Sequence, residues 1–99
     1  MKTKQPQPSC ASKLKVLSDS TRLSVLETLM SGPKNVGELM EALGVEQSLL
    51  SHHLGVLRDN GLVEAMREGK TMIYQLPEEV SDSTAGKAIN LGCCKISFD

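Results

Sequence analysis

Residues 35–61 read N-V-G-E-L-M-E-A-L-G-V-E-Q-S-L-L-S-H-H-L-G-V-L-R-D-N-G. Asn35 with Glu38 three residues on has the form of a capping box, and Val36, Leu39, Met40 and Leu43 follow at i, i+3, i+4 and i+7. That spacing predicts a short helix. Leu43-Gly44-Val45 is a tight corner with glycine where a left-handed residue is needed. From Glu46 to Asn60, Leu50, Leu54 and Leu57 mark one stripe before Gly61 stops the run. Two short helices joined by a tight glycine-containing turn form the helix-turn-helix pattern.

Upstream, Leu14 and Leu17 suit a short first helix, and in L-S-D-S-T-R-L either Asp19 or Ser18 is placed to cap a second. Its inward residues are Leu23, Leu26, Leu29 and Met30, and Ser31-Gly32-Pro33 ends it. Downstream, L-V-E-A-M-R and T-M-I-Y-Q-L are β-favouring runs around Glu68-Gly69-Lys70, a hairpin closed off by Pro77. The stretch after Pro77 is rich in Ser, Asp, Thr and Gly and predicts at best a weak helix. The order α-α-α-α-β-β is a winged helix-turn-helix, mainly α with a β-hairpin wing. The expected division is an arm over 1–8, the winged helix-turn-helix domain over 9–80 and a C-terminal segment over 81–99 that carries Cys93 and Cys94.

With 99 residues, one Tyr, one Phe and no Trp, the core must be aliphatic. A domain of this size buries only about 60 to 65% of its unfolded surface, which favours a second subunit. No stretch resembles a signal peptide or membrane span, so a cytoplasmic protein is expected. The net charge of −1 is unevenly spread: residues 1–34 carry +4, residues 35–66 carry −4 and residues 67–99 carry −1. Any contact with phosphate is therefore local, and DNA binding should depend steeply on salt.

With Leu50 set at the core and about 100° per residue, Leu54 and Leu57 fall within about 40° of it, while Ser48, Ser51, His52 and Gly55 fall about 100° to 200° away. That outer face is small and hydrogen-bonding, with neither Lys nor Glu between Gln47 and Val56. A helix entering the major groove needs such side chains so that its backbone approaches the base edges. Gln47, Ser48, Ser51 and His52 are the candidate base-reading residues. Arg67 and Lys70, flanking the hairpin tip, are candidates for phosphate or the minor groove, although basic residues also protect exposed strand edges. Adjacent histidines point about 100° apart on a helix and no ligand lies at i, i+4 from either, so His53 is expected to be a half-buried packing residue.

The segments S-D-S-T-R-L, S-H-H-L-G-V-L-R-D-N-G-L-V and R-E-G-K-T-M-I-Y-Q-L resemble the ArsR/SmtB family of metal- and metalloid-responsive repressors, over about residues 11–76. The resemblance implies a homodimer formed by the first and last helices. It also implies binding to an operator of double-stranded DNA with an imperfect inverted repeat, and release on binding an inducer. Where the arsenic-sensing branch has C-V-C-D-L-C, this chain has Asn35-Val36-Gly37-Glu38-Leu39-Met40, and no histidine follows His53 to match the zinc-sensing branch.

What remains is Cys10 with the adjacent pair Cys93-Cys94. Thiolates select soft ions, and three sulfurs without histidine match three-coordinate As(III) or Sb(III) better than zinc, with no further cofactor required. If both chain ends meet at a dimer interface, Cys10 joins the pair from its own or its partner's chain, and Lys95 favours the thiolate form. Redox or persulfide sensing, or simple packing without any inducer site, are the alternatives. A disulfide framework is not expected in a reducing cytosol, and a Cys93–Cys94 bridge is geometrically poor, since adjacent Cα atoms lie about 3.8 Å apart, below the usual range of about 4.4 to 6.8 Å. No C-x-x-C motif, glycine loop or carboxylate pair points to catalysis, so no enzyme is expected.

Overall fold

Ser9 is the N-cap of α1 (Cys10–Val16), and its side chain accepts from the Ser12 N–H at 3.1 Å. The computed structural model describes residues 9–82 and 87–98; the expected arm over 1–8 lies outside them. Asp19 is the N-cap of α2 (Ser20–Leu29), and its Oδ1 accepts from the backbone N–H groups of Thr21 at 2.8 Å and Arg22 at 3.1 Å. The bond from Arg22 N–H, then that from Thr21 and the fields of His53 and Arg22, hold the Asp19 carboxyl below its ordinary 3.8 despite the opposing effect of desolvation.

That cap carries a pH-dependent prediction. A carboxylate with a lowered folded-state pKa contributes fully above its unfolded value of about 3.9, and loses that contribution as pH falls through the lower folded value. Asp19→Ala should therefore cost about 0.5 to 2 kcal/mol near pH 7 in urea unfolding. The gap to the parent should close in acid. Asp19→Asn, which keeps an acceptor, should lose less; a gap that persists unchanged in acid would count against the cap.

A two-residue strand β1 (Lys34–Asn35) leads into α3 (Val36–Leu43), where the capping box is complete: Glu38 N–H donates to Asn35 Oδ1 at 2.8 Å, and Asn35 N–H to Glu38 Oε1 at 2.9 Å. Gly44 ends α3 with φ of 68°, a left-handed residue in which any Cβ would be strained. Then come α4 (Gln47–Asp59), β2 (Glu64–Glu68) and β3 (Thr71–Gln75), the last two joined through Gly69-Lys70. β1 pairs antiparallel with β3 on the side away from β2, an addition too short to announce itself in the sequence.

The core is aliphatic, as composition required: Val25, Leu26, Leu39, Leu50, Leu54, Leu57 and Leu62 lose essentially all solvent contact. Three of these, Leu50, Leu54 and Leu57, fix which face of α4 points outward.

The segment after Pro77 departs from the weak helix expected of it. It forms a second antiparallel sheet, β4 (Ser81–Asp82), β5 (Ala88–Asn90) and β6 (Lys95–Ser97), in that spatial order. Its apolar residues explain the difference. Ile89 and Leu91, and then Ile96 and Phe98, stand two apart, the period of a strand. Ile89 faces Ile96 across the ladder, and Ile89, Leu91, Ile96 and Phe98 all pack on the core. The last helix implied by the family resemblance is thus absent among the described residues.

Candidate nucleic-acid interface and thiol cluster

The leucine stripe of α4 is buried, and Gln47, Ser48, Ser51 and His52 are all exposed. Ser48 Oγ donates to Glu46 Oε1 at 2.7 Å, so this hydroxyl has a carboxylate partner in the free protein. Gln47 and Lys70 line one open groove of ≈ 420 Å³, walled by the N-terminal turn of α3 and the tip end of the wing at Thr71 and Met72. The groove brings two of the expected DNA contacts together, one from the recognition helix and one from the hairpin tip. Arg67 is exposed on β2.

His53 differs from the half-buried residue expected. It is 6% exposed, and its Nδ1 accepts from the Arg22 Nε–H at 3.0 Å. The same guanidinium lies 3.4 Å from the Val16 carbonyl. Arg22 thereby ties α4 to α2 and to the end of α1. An acceptor at Nδ1 places the proton of neutral His53 on Nε2. Arg22 carried no local signal for this role, because its partner lies 31 residues away.

The three cysteines converge within one chain. Cys10 is the first residue of α1, and Cys93 and Cys94 lie in the connection between β5 and β6. That connection is a tight one: Leu91 N–H donates to Cys94 O at 2.8 Å, Gly92 N–H donates to Asn90 Oδ1 at 2.8 Å, and Gly92 has φ of 94°. Lys13, one turn after Cys10, donates from Nζ to Leu91 O at 3.4 Å and pulls the same loop onto α1.

Contrary to the expectation of three free thiols, Cys10 and Cys93 form a disulfide, with Cα atoms 6.2 Å apart and inside the usual range. Cys94 is the free cysteine, with its Sγ 3.9 Å from Cys10 Sγ, and all three sulfurs lie within 4.8 Å of one another. Cys93 is exposed, whereas Cys94 is half-buried and packs on the core. Among the described residues, no histidine or carboxylate belongs to the group. A thiolate–zinc bond of about 2.3 Å puts two tetrahedral ligands about 3.8 Å apart, so once reduced this donor set is compact enough for a thiophilic ion. A groove of ≈ 420 Å³ runs from Lys13 and Leu91–Gly92 to Asn60 and Gly61 at the C-terminal end of α4. The groove joins the loop that carries the cysteine pair to the residues that end the recognition helix.

Comparison with known proteins gives a consistent picture. The family described as "Bacterial regulatory protein, arsR family" matches residues 19–65, a segment that excludes all three cysteines. The chain is 44% identical over 72 residues to the HTH-type transcriptional regulator NmtR of Mycobacterium tuberculosis, a match covering 73% of this chain and 60% of that one. It is 38% identical over 85 residues to the biofilm growth-associated repressor of Xylella fastidiosa strain 9a5c, covering 86% and 75%. It is 41% identical over 69 residues to the arsenical resistance operon repressor of Staphylococcus aureus, covering 70% and 66%. Among solved structures, M. tuberculosis Rv0081 superposes with a TM-score of 0.65 at 43% identity, covering 67% of each chain. The homodimeric winged helix-turn-helix domain of Mycobacterium bovis Mb0332 does so with a TM-score of 0.60 at 35% identity, covering 63% and 57%.

Proposed function

The chain belongs to the bacterial arsR family of DNA-binding regulatory proteins, and on that premise we propose that it is a cytoplasmic, homodimeric transcriptional repressor whose hold on an inverted-repeat operator is released through its cysteine cluster. The observation that carries the DNA reading is the exposed polar face of α4, whose first residue, Gln47, shares a groove with Lys70 of the wing. Ser51 and His52, with Gln47 and Ser48, read base edges, and Arg67 and Lys70 neutralise phosphate. Leu14, 45% exposed on α1, supports packing against a second copy, in keeping with the homodimeric Mb0332 domain. Half-site centres then lie about one helical turn apart or a multiple of it.

Base and phosphate contacts separate by experiment. Lys70→Ala should weaken binding to the protein's own upstream DNA and to random DNA alike, and reduce the salt slope by about one unit. Ser51→Ala or His52→Ala should cost about 1 to 3 kcal/mol on the operator and little on random DNA. Equal losses on both DNAs from the α4 variants would contradict the assignment.

For the inducer, the mutual approach of three sulfurs within 4.8 Å without a harder ligand supports As(III) or Sb(III), held by Cys10, Cys93 and Cys94 after reduction. An inducer shifts the equilibrium only by its differential affinity, so the ion must favour the DNA-free arrangement. A coupling of about 1 to 3 kcal/mol lowers operator affinity by about 5- to 150-fold. Under reducing conditions, Cys93→Ser/Cys94→Ser protein should bind the operator as the parent does and stay bound when arsenite is added. Cys10→Ser should give a partial defect, two sulfurs remaining. Release of the double variant at the parent's arsenite concentration would overturn this. The Cys10–Cys93 bond supports a second reading, in which oxidation itself is the signal; release of the parent by peroxide alone would select it.

A further inference from the structure

We propose that the three cysteines share one migrating disulfide, with Cys10 bonded alternately to Cys93 and to Cys94, and that this oxidised state excludes the metalloid-bound state of the same cluster. The exclusion rests on the metalloid reading above; the migration does not.

Adjacent Cys93 and Cys94 cannot readily bond to each other, because their Cα atoms are only about 3.8 Å apart. Cys10 is thus the shared partner for both. It is bonded to Cys93, and the free Cys94 Sγ stands 3.9 Å from Cys10 Sγ. Oxidation of the reduced cluster removes two protons and two electrons from Cys10 and Cys93; a peroxide such as hydrogen peroxide takes them up and leaves as two waters. Exchange then needs no further oxidant. The Cys94 thiolate attacks Cys10 Sγ, the Cys10–Cys94 bond forms, the Cys10–Cys93 bond breaks, and Cys93 departs as a thiolate that takes up the proton Cys94 gave up.

The two partners differ in setting, which gives the exchange a consequence. Cys94 is half-buried against the core and Cys93 is exposed. Migration therefore delivers the free thiol from a shielded position to the surface, where a small thiol or disulfide can reach it. Either disulfide also consumes two of the three sulfurs that would hold an ion, leaving a lone thiol. The oxidised repressor is then insensitive to metalloid until it is reduced.

The test oxidises reduced full-length protein with hydrogen peroxide, quenches in acid with N-ethylmaleimide and digests with trypsin. Cys10 falls in the peptide 5–13 and both other cysteines in the peptide 88–95. Fragmentation of the linked pair should find the maleimide on Cys94 in one population and on Cys93 in another. Cys93→Ser should form a Cys10–Cys94 link and Cys94→Ser a Cys10–Cys93 link, at comparable rates. Label on Cys94 alone in the parent, with no link in Cys93→Ser, would overturn migration. Arsenite should bind reduced but not oxidised parent, and arsenite-loaded protein should resist disulfide formation. Equal binding by both redox states would overturn the exclusion. Failure of the reduced parent to bind arsenite would sink the metalloid reading and the exclusion with it, and leave migration to be judged by the peptide map alone.

Discussion

Reduction of the Cys10–Cys93 bond should lower the free energy of unfolding by up to about 4.5 kcal/mol, the chain-entropy expectation for a closed loop of this size. The bond spans 83 residues, nearly the whole chain, so breaking it frees more of the unfolded ensemble than any shorter cross-link would. Against a total stability of about 5 to 15 kcal/mol for a domain, that is a large share. The measurement is a urea midpoint followed by far-UV circular dichroism, since the chain has no tryptophan, with and without dithiothreitol. Cys94→Ser protein is the cleaner subject, because its disulfide has one possible form. A loss below about 1 kcal/mol would mean that the entropy gained by the free chain is largely offset, contrary to the loop-closure argument.

Leu54→Ala should destabilise by about 2 to 5 kcal/mol, through lost transfer free energy and the cavity left behind. Leu54 is 1% exposed and lies between two other leucines of the stripe that seats α4 on α2 and α3. A surface residue of α4 such as Ser51 carries no such load, so its alanine variant should unfold within about 0.5 kcal/mol of the parent. Leu54→Met, which nearly conserves volume, should cost less than about 1.5 kcal/mol. DNA affinity should fall with Leu54→Ala only to the extent that the folded fraction falls. A stable Leu54→Ala protein that has lost operator binding would mean that the residue acts on the DNA face rather than beneath it.

The two sites differ in how far apart their parts lie along the chain. Everything needed to place the DNA face is local. The Asp19 cap, the Asn35 and Glu38 capping box and the Gly44 corner are relations over a few residues, and the Leu50, Leu54, Leu57 stripe is a helical period. Such relations are printed in the sequence because the backbone's own geometry enforces them. The resemblance carried by S-D-S-T-R-L and S-H-H-L followed the same segment, and the arsR-family match at residues 19–65 agrees with it. The C-terminal sheet was half legible: Ile89 with Leu91 and Ile96 with Phe98 keep a strand's period of two, but the polar residues between Pro77 and Ala88 masked it.

The thiol cluster and the His53 seat belong to the other kind. From sequence alone, Cys10 could meet Cys93-Cys94 from either subunit, and the three read best as free thiols. The fold brings them together in one chain and bonds Cys10 to Cys93, because Ile89, Leu91 and Ile96 anchor the β5–β6 turn on the core beside α1 while Lys13 holds the Leu91 carbonyl. His53 likewise lies off the leucine stripe by periodicity, yet Arg22 of α2 supplies the donor that allows its ring to be buried. Contacts 84 and 31 residues apart in sequence leave no local period to read. Sequence by itself determined which helix would face DNA, since a helix needs only its own stripe to be oriented; packing between distant elements decided which sulfurs meet and which imidazole is buried.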